Sequence, residues 1–228
     1  KYGEKNNVNV YEYVSNDYEF IGFNFKNSML QDKNIRKAIA YGIDRHKMIS
    51  NIYLGHGTVV DVPIYPLSSL YAQDSPQYGY NSEEAIKLIK EAGYLIGNTN
   101  PIGTDEEGQS LTFNLISNKD NILREKAALS IQEELLDIGI KVNIELLEWE
   151  EFQERVASGN FDMVLGGWEL SYITDLSFAF HSSQIGESNY ISYNNEKMNE
   201  LLEEAFRAPN AKEKEGAYTA LQEHITEE

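Results

Sequence analysis

The chain has 228 residues, 41% of them hydrophobic and 25% charged, which is enough to bury a substantial core in one or two domains and is not the profile of a disordered chain. Nineteen Lys and Arg against 37 Asp and Glu leave a formal charge of -18, a surface that repels a nucleic-acid backbone and argues against nucleic acid as a partner. No stretch approaches the roughly 18 continuous apolar residues of a membrane helix, and the absence of Cys removes disulfide frameworks, thiolate metal sites and Cys nucleophiles.

The opening, up to about Asn9, is polar and reads as loose. Tyr18 to Phe25 alternates as a strand does. Asp32 caps a predicted helix with Ile35, Ala38, Ile39, Gly42 and Ile43 on one stripe. Asp44 caps a second, with Met48, Ile49 and Ile52 inward. From Gly55 to Tyr80, with Pro63, Pro66 and Pro76, the pattern predicts a long irregular excursion of the kind that is usually functional. Ser82 precedes an amphipathic helix (Ala85, Ile86, Leu88, Ile89, Ala92) that stops at Gly93. A turn-rich stretch, Asn98 to Gly108, leads into a strand Leu111–Ser117. A helix Ile122–Ile138, a strand Ile140–Leu147, a helix Glu150–Ser158 and a strand Phe161–Gly166 follow. Right-handed crossovers in such a β-α-β-α-β run make a parallel sheet. A short helix through Phe178, a loop Ser182–Asn194 and helices Glu196–Arg207 and Lys212–Ile225 complete the chain as a covering layer.

Open parallel sheets bind ligands beyond the carboxyl ends of their strands. Here those ends are Asn118–Asp120, Glu148–Trp149 and Gly167-Trp168-Glu169. The third is the candidate site, because glycines let a backbone approach closely and the Trp can stack on a ligand. Trp168 has an equal alternative, simple packing at the sheet edge.

No catalytic constellation stands out. His46, His56, His181 and His224 have no metal-ligand spacing, and no nucleophile elbow, phosphate loop or EF-hand loop is present. No metal and no cofactor are expected. The acid pairs Glu83-Glu84, Glu133-Glu134, Glu150-Glu151 and Glu203-Glu204 diverge by about 100° on a helix and read as solvated faces. A two-carboxylate glycosidase has one candidate pair, Glu148 and Glu169, taken to sit at adjacent strand ends.

At these same segments the chain resembles the family 5 extracellular solute-binding proteins, the oligopeptide-, dipeptide- and nickel-binding components of ABC importers. Six stretches carry the resemblance in order: Tyr18–Asn24, Asp32–Arg45, Pro63–Pro66, Tyr80–Tyr94, Ile138–Val142 and Phe161–Trp168. It implies an α/β lobe like those of type II periplasmic binding proteins, with a mainly parallel central sheet flanked by helices. It places residues 18–228 on the second, ligand-binding lobe and residues 1–17 in a hinge-proximal segment, with the first lobe and a C-terminal tail outside the chain. It further implies a monomer outside the cell, periplasmic or lipid-anchored, that captures a peptide without catalysis and hands it to membrane permease subunits. The residues assigned to the ligand are Gly167, Trp168, Glu169, Leu170, Ser171 and Tyr172. In peptide-binding relatives an Asp three positions after the Trp receives the ligand's amino group, and this chain has the neutral Ser171 there. Glu169 and Asp175 are nearby substitutes at other positions. The departure leaves an oligosaccharide or other uncharged solute as an alternative ligand, with a surface sensor or interaction module and the cleft glycosidase as alternative roles.

Overall fold

The computed structural model describes residues 9, 11–74, 77–97, 100–171 and 175–228. Four strands, β1 (Asp17–Phe23), β2 (Thr112–Asn118), β3 (Lys141–Leu147) and β4 (Met163–Glu169), form one sheet in the order β1-β4-β2-β3. β2 pairs in parallel with both β3 and β4, and β1 closes the edge antiparallel to β4. The expected parallel β-α-β-α-β core is therefore present. β4, however, crosses over β2 to its far side instead of extending beyond β3, and the first strand runs the other way. Hydrophobic periodicity sets which face of a strand is buried, not which neighbour it takes, so neither feature is visible in the alternation alone.

Helices α1 (Ser28–Gln31), α2 (Lys33–Gly42), α3 (Arg45–Asn51), α4 (Ser82–Glu91) and α5 (Ile122–Asp137) precede α6 (Trp149–Ser158), α7 (Ser177–Phe180), α8 (Glu196–Arg207) and α9 (Ala211–Glu227). The main core joins α1, α2, α4 and α5 to one sheet face through Leu30, Ile35, Ile39, Ile89, Ile131 and Leu135, against Phe113, Leu115, Met163 and Leu165. α6 covers the opposite face with Phe152 over Ile116, Leu147 and Val164. A third cluster holds α8 and α9 together and takes in Val62 and Ile64 of the irregular segment between α3 and α4.

Side-chain caps start most of these helices. Asp32 accepts from the Asn34 amide, Asp44 from Lys47 and Asn121 from Leu123 and Arg124. The cap of α4 is Asn81, and Ser82 is already helical. α3 buries no residue completely; Met48 and Ile52 only lean on the main core. It is held instead by Glu134 of α5, a buried carboxylate that accepts the Asp44 amide at 2.9 Å and Lys47 Nζ at 3.2 Å. Negative charge at a helix N-terminus complements its dipole. The irregular segment is equally anchored. Arg45 pairs with Asp61 at 2.8 Å and donates to the Val60 carbonyl, while the buried Gln222 of α9 accepts the Ala72 amide and donates to the Leu70 carbonyl.

Gly139, between α5 and β3, has φ 92°, and a Cβ there would sit 2.7 Å from Ile96 Cδ1 and 3.2 Å from the Pro101 carbonyl. Gly139→Ala should therefore lower the unfolding free energy by about 2 kcal/mol, read as a reduced urea midpoint at unchanged slope.

Candidate ligand-binding site

β4 alternates along its length. Met163, Leu165, Gly167 and Glu169 face the α2–α5 side, and Val164, Gly166 and Trp168 face the other. The strand runs through Glu169, so Gly167, Trp168 and Glu169 are its last three residues and not a loop beyond it. In the antiparallel register Tyr18 lies opposite Trp168, Glu19 opposite Gly167, Phe20 opposite Gly166 and Asp17 opposite Glu169.

On one face these pairs build an aromatic cluster. The Trp168 ring centroid lies 4.2 Å from Phe20, 5.1 Å from Phe178, 6.1 Å from Tyr18 and 6.5 Å from Phe180. The indole N–H is hydrogen-bonded to the Tyr190 hydroxyl. Trp168 is half-buried, so one part of the ring packs and another stays open. The cluster borders a cleft of about 1070 Å³ that runs along β1 and is bounded by α2, much of the segment 55–66 and the end of α9. Trp168 packs against β1 and also presents a surface to the cleft.

On the other face Gly167 meets a different demand from the one expected. Arg124, at the start of α5, donates from Nε and Nη2 to the two carboxylate oxygens of Glu19 at 2.7 and 2.8 Å, and from Nη1 to Asn118 Oδ1 at 2.7 Å. A Cβ on Gly167 would stand 2.5 Å from Arg124 Nη2 and 2.6 Å from Glu19 Oε1. The space that looked like room for a ligand is filled by this ion pair.

The six assigned residues thus separate. Trp168 and the buried Leu170 line the cleft. Gly167 and Glu169 are exposed on the opposite face, Glu169 beside Asp17 of β1. Ser171 is exposed, and Tyr172 lies outside the described residues. The residues missed in the sequence are Tyr18, Phe20, Phe178, Phe180, Tyr190 and Arg124. The alternation of Tyr18 and Phe20 was a signal that one strand face is aromatic, but only the pairing with β4 brings it to Trp168. Tyr65 is buried and donates to the Val14 carbonyl at 3.0 Å, so it braces the cleft wall.

The glycosidase geometry is overturned. β2 lies between β3 and β4, which sets Glu148 and Glu169 two interstrand spacings apart, roughly 10 Å, and not at adjacent strand ends. Glu148 is also ion-paired with Lys119. The histidines are dispersed: His56 lies 3.4 Å from Glu12, His181 lies 3.8 Å from Glu203, and His224 Nε2 is buried. Among the described residues no three His, Cys, Asp or Glu side chains converge as metal ligands do.

Two outcomes follow. Gly167→Ala displaces the Arg124–Glu19 pair and should lower stability by about 1 kcal/mol, with a double-mutant cycle against Glu19→Gln showing that the two changes are not additive. Burial also pushes the Tyr190 and Tyr193 phenols up from 10.0 to about 12. The unfolded chain then releases these protons first. Stability is therefore fully present below about pH 10 and lost as pH rises toward about 12, measurable by denaturant titration across that window.

Residues 1–190 match the bacterial extracellular solute-binding proteins, family 5, middle region. Over 228 residues the chain is 34% identical to the oligopeptide-binding protein AppA of Bacillus subtilis, an alignment that covers 98% of this chain and 42% of AppA. It is 28% identical over 218 residues to heme-binding protein A of Haemophilus influenzae, covering 94% of this chain and 38% of that protein. The solved structure of Bacillus subtilis AppA in complex with a nonapeptide superposes with a TM-score of 0.88 at 33% identity, over 93% of this chain and 43% of that one. The chain spans about two fifths of the length of these relatives, and its α/β architecture is that of type II periplasmic-binding-protein-like folds. With its ordered strands, its aromatic strand end and a match over most of its length, the chain belongs to the family 5 extracellular solute-binding proteins of bacteria.

Proposed function

We propose that this chain forms the ligand-binding lobe, residues 18–228 with a hinge-proximal segment 1–17, of a two-lobed protein that captures oligopeptides outside the cell. The protein delivers them to the permease subunits of an ABC importer. It acts as a monomer, periplasmic or lipid-anchored, and performs no chemistry on its cargo. The observation that carries this reading is the half-open face of Trp168 on a cleft of about 1070 Å³ at the carboxyl end of β4. The 34% identity to an oligopeptide-binding protein supports the choice of ligand.

In this reading Trp168, Glu169, Leu170 and Ser171 form the ligand-side rim. Trp168 covers the ligand, Leu170 supports it from beneath, and the end of β4 offers backbone groups to a peptide. Ser171 supplies no charge for a peptide amino terminus. Glu169 does, reinforced by Asp17 directly opposite it. A second reading, an uncharged oligosaccharide, is favoured by the neighbouring rings of Tyr18, Phe20 and Trp168, since aromatic faces suit sugar rings.

Calorimetric titration of the full two-lobed protein with defined peptides and with oligosaccharides separates the two. Peptide binding that Trp168→Ala weakens by roughly 1–3 kcal/mol, and that Glu169→Gln weakens more for free than for acetylated amino termini, is the expected result. Binding of oligosaccharides alone would sink the peptide assignment, and unchanged affinity in Trp168→Ala would remove that residue from the site.

A further inference from the structure

Helix α5 is apolar on two sides. Ala127, Ala128, Ile131 and Leu135 pack into the main core, yet Ile122, Leu129 and Leu136 are 67, 49 and 43% exposed. Each lies seven residues from the next, a step that drifts by only about 20° around a helix. They therefore form one outer ridge about 21 Å long, on the side away from the core and from the cleft. Single exposed apolar residues are ordinary on a protein surface, but three in line at the spacing of a helix seam are not. Among the described residues nothing covers the ridge.

The charges beside the ridge indicate its complement. Lys126 and Glu133 stand on one flank, before and after Leu129, and Glu125 and the neutral Gln132 stand on the other. Lys126 and Glu133 are exposed and, among the described residues, have no ion-pair partner. A second α5 laid antiparallel about a two-fold axis through Leu129 sets that residue against itself, and Ile122 against Leu136 at both ends. Such an axis returns each flank to the same flank of the second helix. Lys126 then meets Glu133 twice, and Glu125 meets Gln132 twice. A parallel pair would set Lys126 beside Glu125, but it brings like ends of the two helix dipoles together.

We infer that the outer ridge of α5 pairs antiparallel with the same ridge of a second copy of this chain. Three apolar side chains from each copy bury well under the roughly 1,200 Å² of a stable interface, so the pairing is weak and forms where copies are crowded. Single molecules remain the form that captures and delivers a solute. The ridge lies outside the cleft, so this pairing stands or falls independently of the Trp168 rim and of which solute is transported.

The test uses the full two-lobed protein. Sedimentation equilibrium at concentrations up to about 1 mM should give a monomer–dimer equilibrium with a dissociation constant of roughly 0.1–1 mM. Leu129→Glu should weaken the pairing about tenfold or more and leave the unfolding midpoint unchanged, because the side chain is exposed. Lys126→Glu and Glu133→Lys should each weaken it by about threefold or more, and an equimolar mixture of the two variants should recover it, since every charge then faces its opposite. These 228 residues contain no Cys, so single introduced thiols report the register against the unsubstituted protein. On oxidation Leu129→Cys should link to itself. Ile122→Cys should link only to Leu136→Cys, because the two copies of position 122 lie about 21 Å apart. A protein that stays monomeric at about 1 mM, pairing untouched by Leu129→Glu, or self-linking of Ile122→Cys would each overturn the inference. A monomer whose Leu129→Glu variant loses delivery to the permease would overturn it as well, and would give the ridge to the membrane partner.

Discussion

Arg124 ties three secondary-structure elements to one point. Carried on the first turn of α5, its guanidinium grips Glu19 of β1 with two bonds and Asn118 of β2 with a third, directly above the bare backbone of Gly167 in β4. An exposed ion pair contributes little, but this one is bidentate and Arg124 is only 14% exposed, so geometry and partial desolvation both strengthen it. The pair fixes β1 against β4 in one register. Because side chains alternate, it also fixes what appears on the reverse face: with Glu19 and Gly167 turned toward α5, Tyr18, Phe20 and Trp168 must turn the other way.

The second glycine serves that reverse face. Phe20 lies opposite Gly166, and its ring comes within 3.9 Å of where a Cβ would be. That is ordinary contact distance, and beside it Phe20 and Trp168 meet at 4.2 Å. The two adjacent glycines therefore face different neighbours, one an ion pair that a Cβ would displace and the other an aromatic ring at contact distance. Neither needs an unusual backbone angle; Gly167 is small for reasons of space within an ordinary strand.

Local chemistry made most of the elements readable. Asp32, Asp44 and the spacing of Ile35, Ala38 and Ile39 announce α2 and α3, and Gly93 and Gly159 end their helices where the apolar stripe stops. The carboxyl end of β4 was legible as a candidate site because crossover helices force β2, β3 and β4 to point the same way. Pairing partners were not legible. That β4 sits beside β2 depends on contacts 48 positions apart, and that β1 runs antiparallel to it on contacts between 140 and 152 positions apart, from Phe23–Met163 to Asp17–Glu169. Gly167 was misread for the same reason, since Arg124 and Glu19 are remote from it in sequence. The rings at 178, 180 and 190 gave no periodic signal, because they come from a short helix and a turn.

Ligand choice is decided at a different level from the fold. AppA and heme-binding protein A match nearly all of this chain, and their names give different ligands. Similarity over this length therefore does not by itself name a cargo. In the function proposed above, the groups left to choose it are the open side of Trp168, the carboxylates of Asp17 and Glu169 at one end of the β1–β4 pair, and a neutral hydroxyl at position 171. The carboxylates lie on the face opposite the indole, so a ligand that uses both must pass around the end of β4.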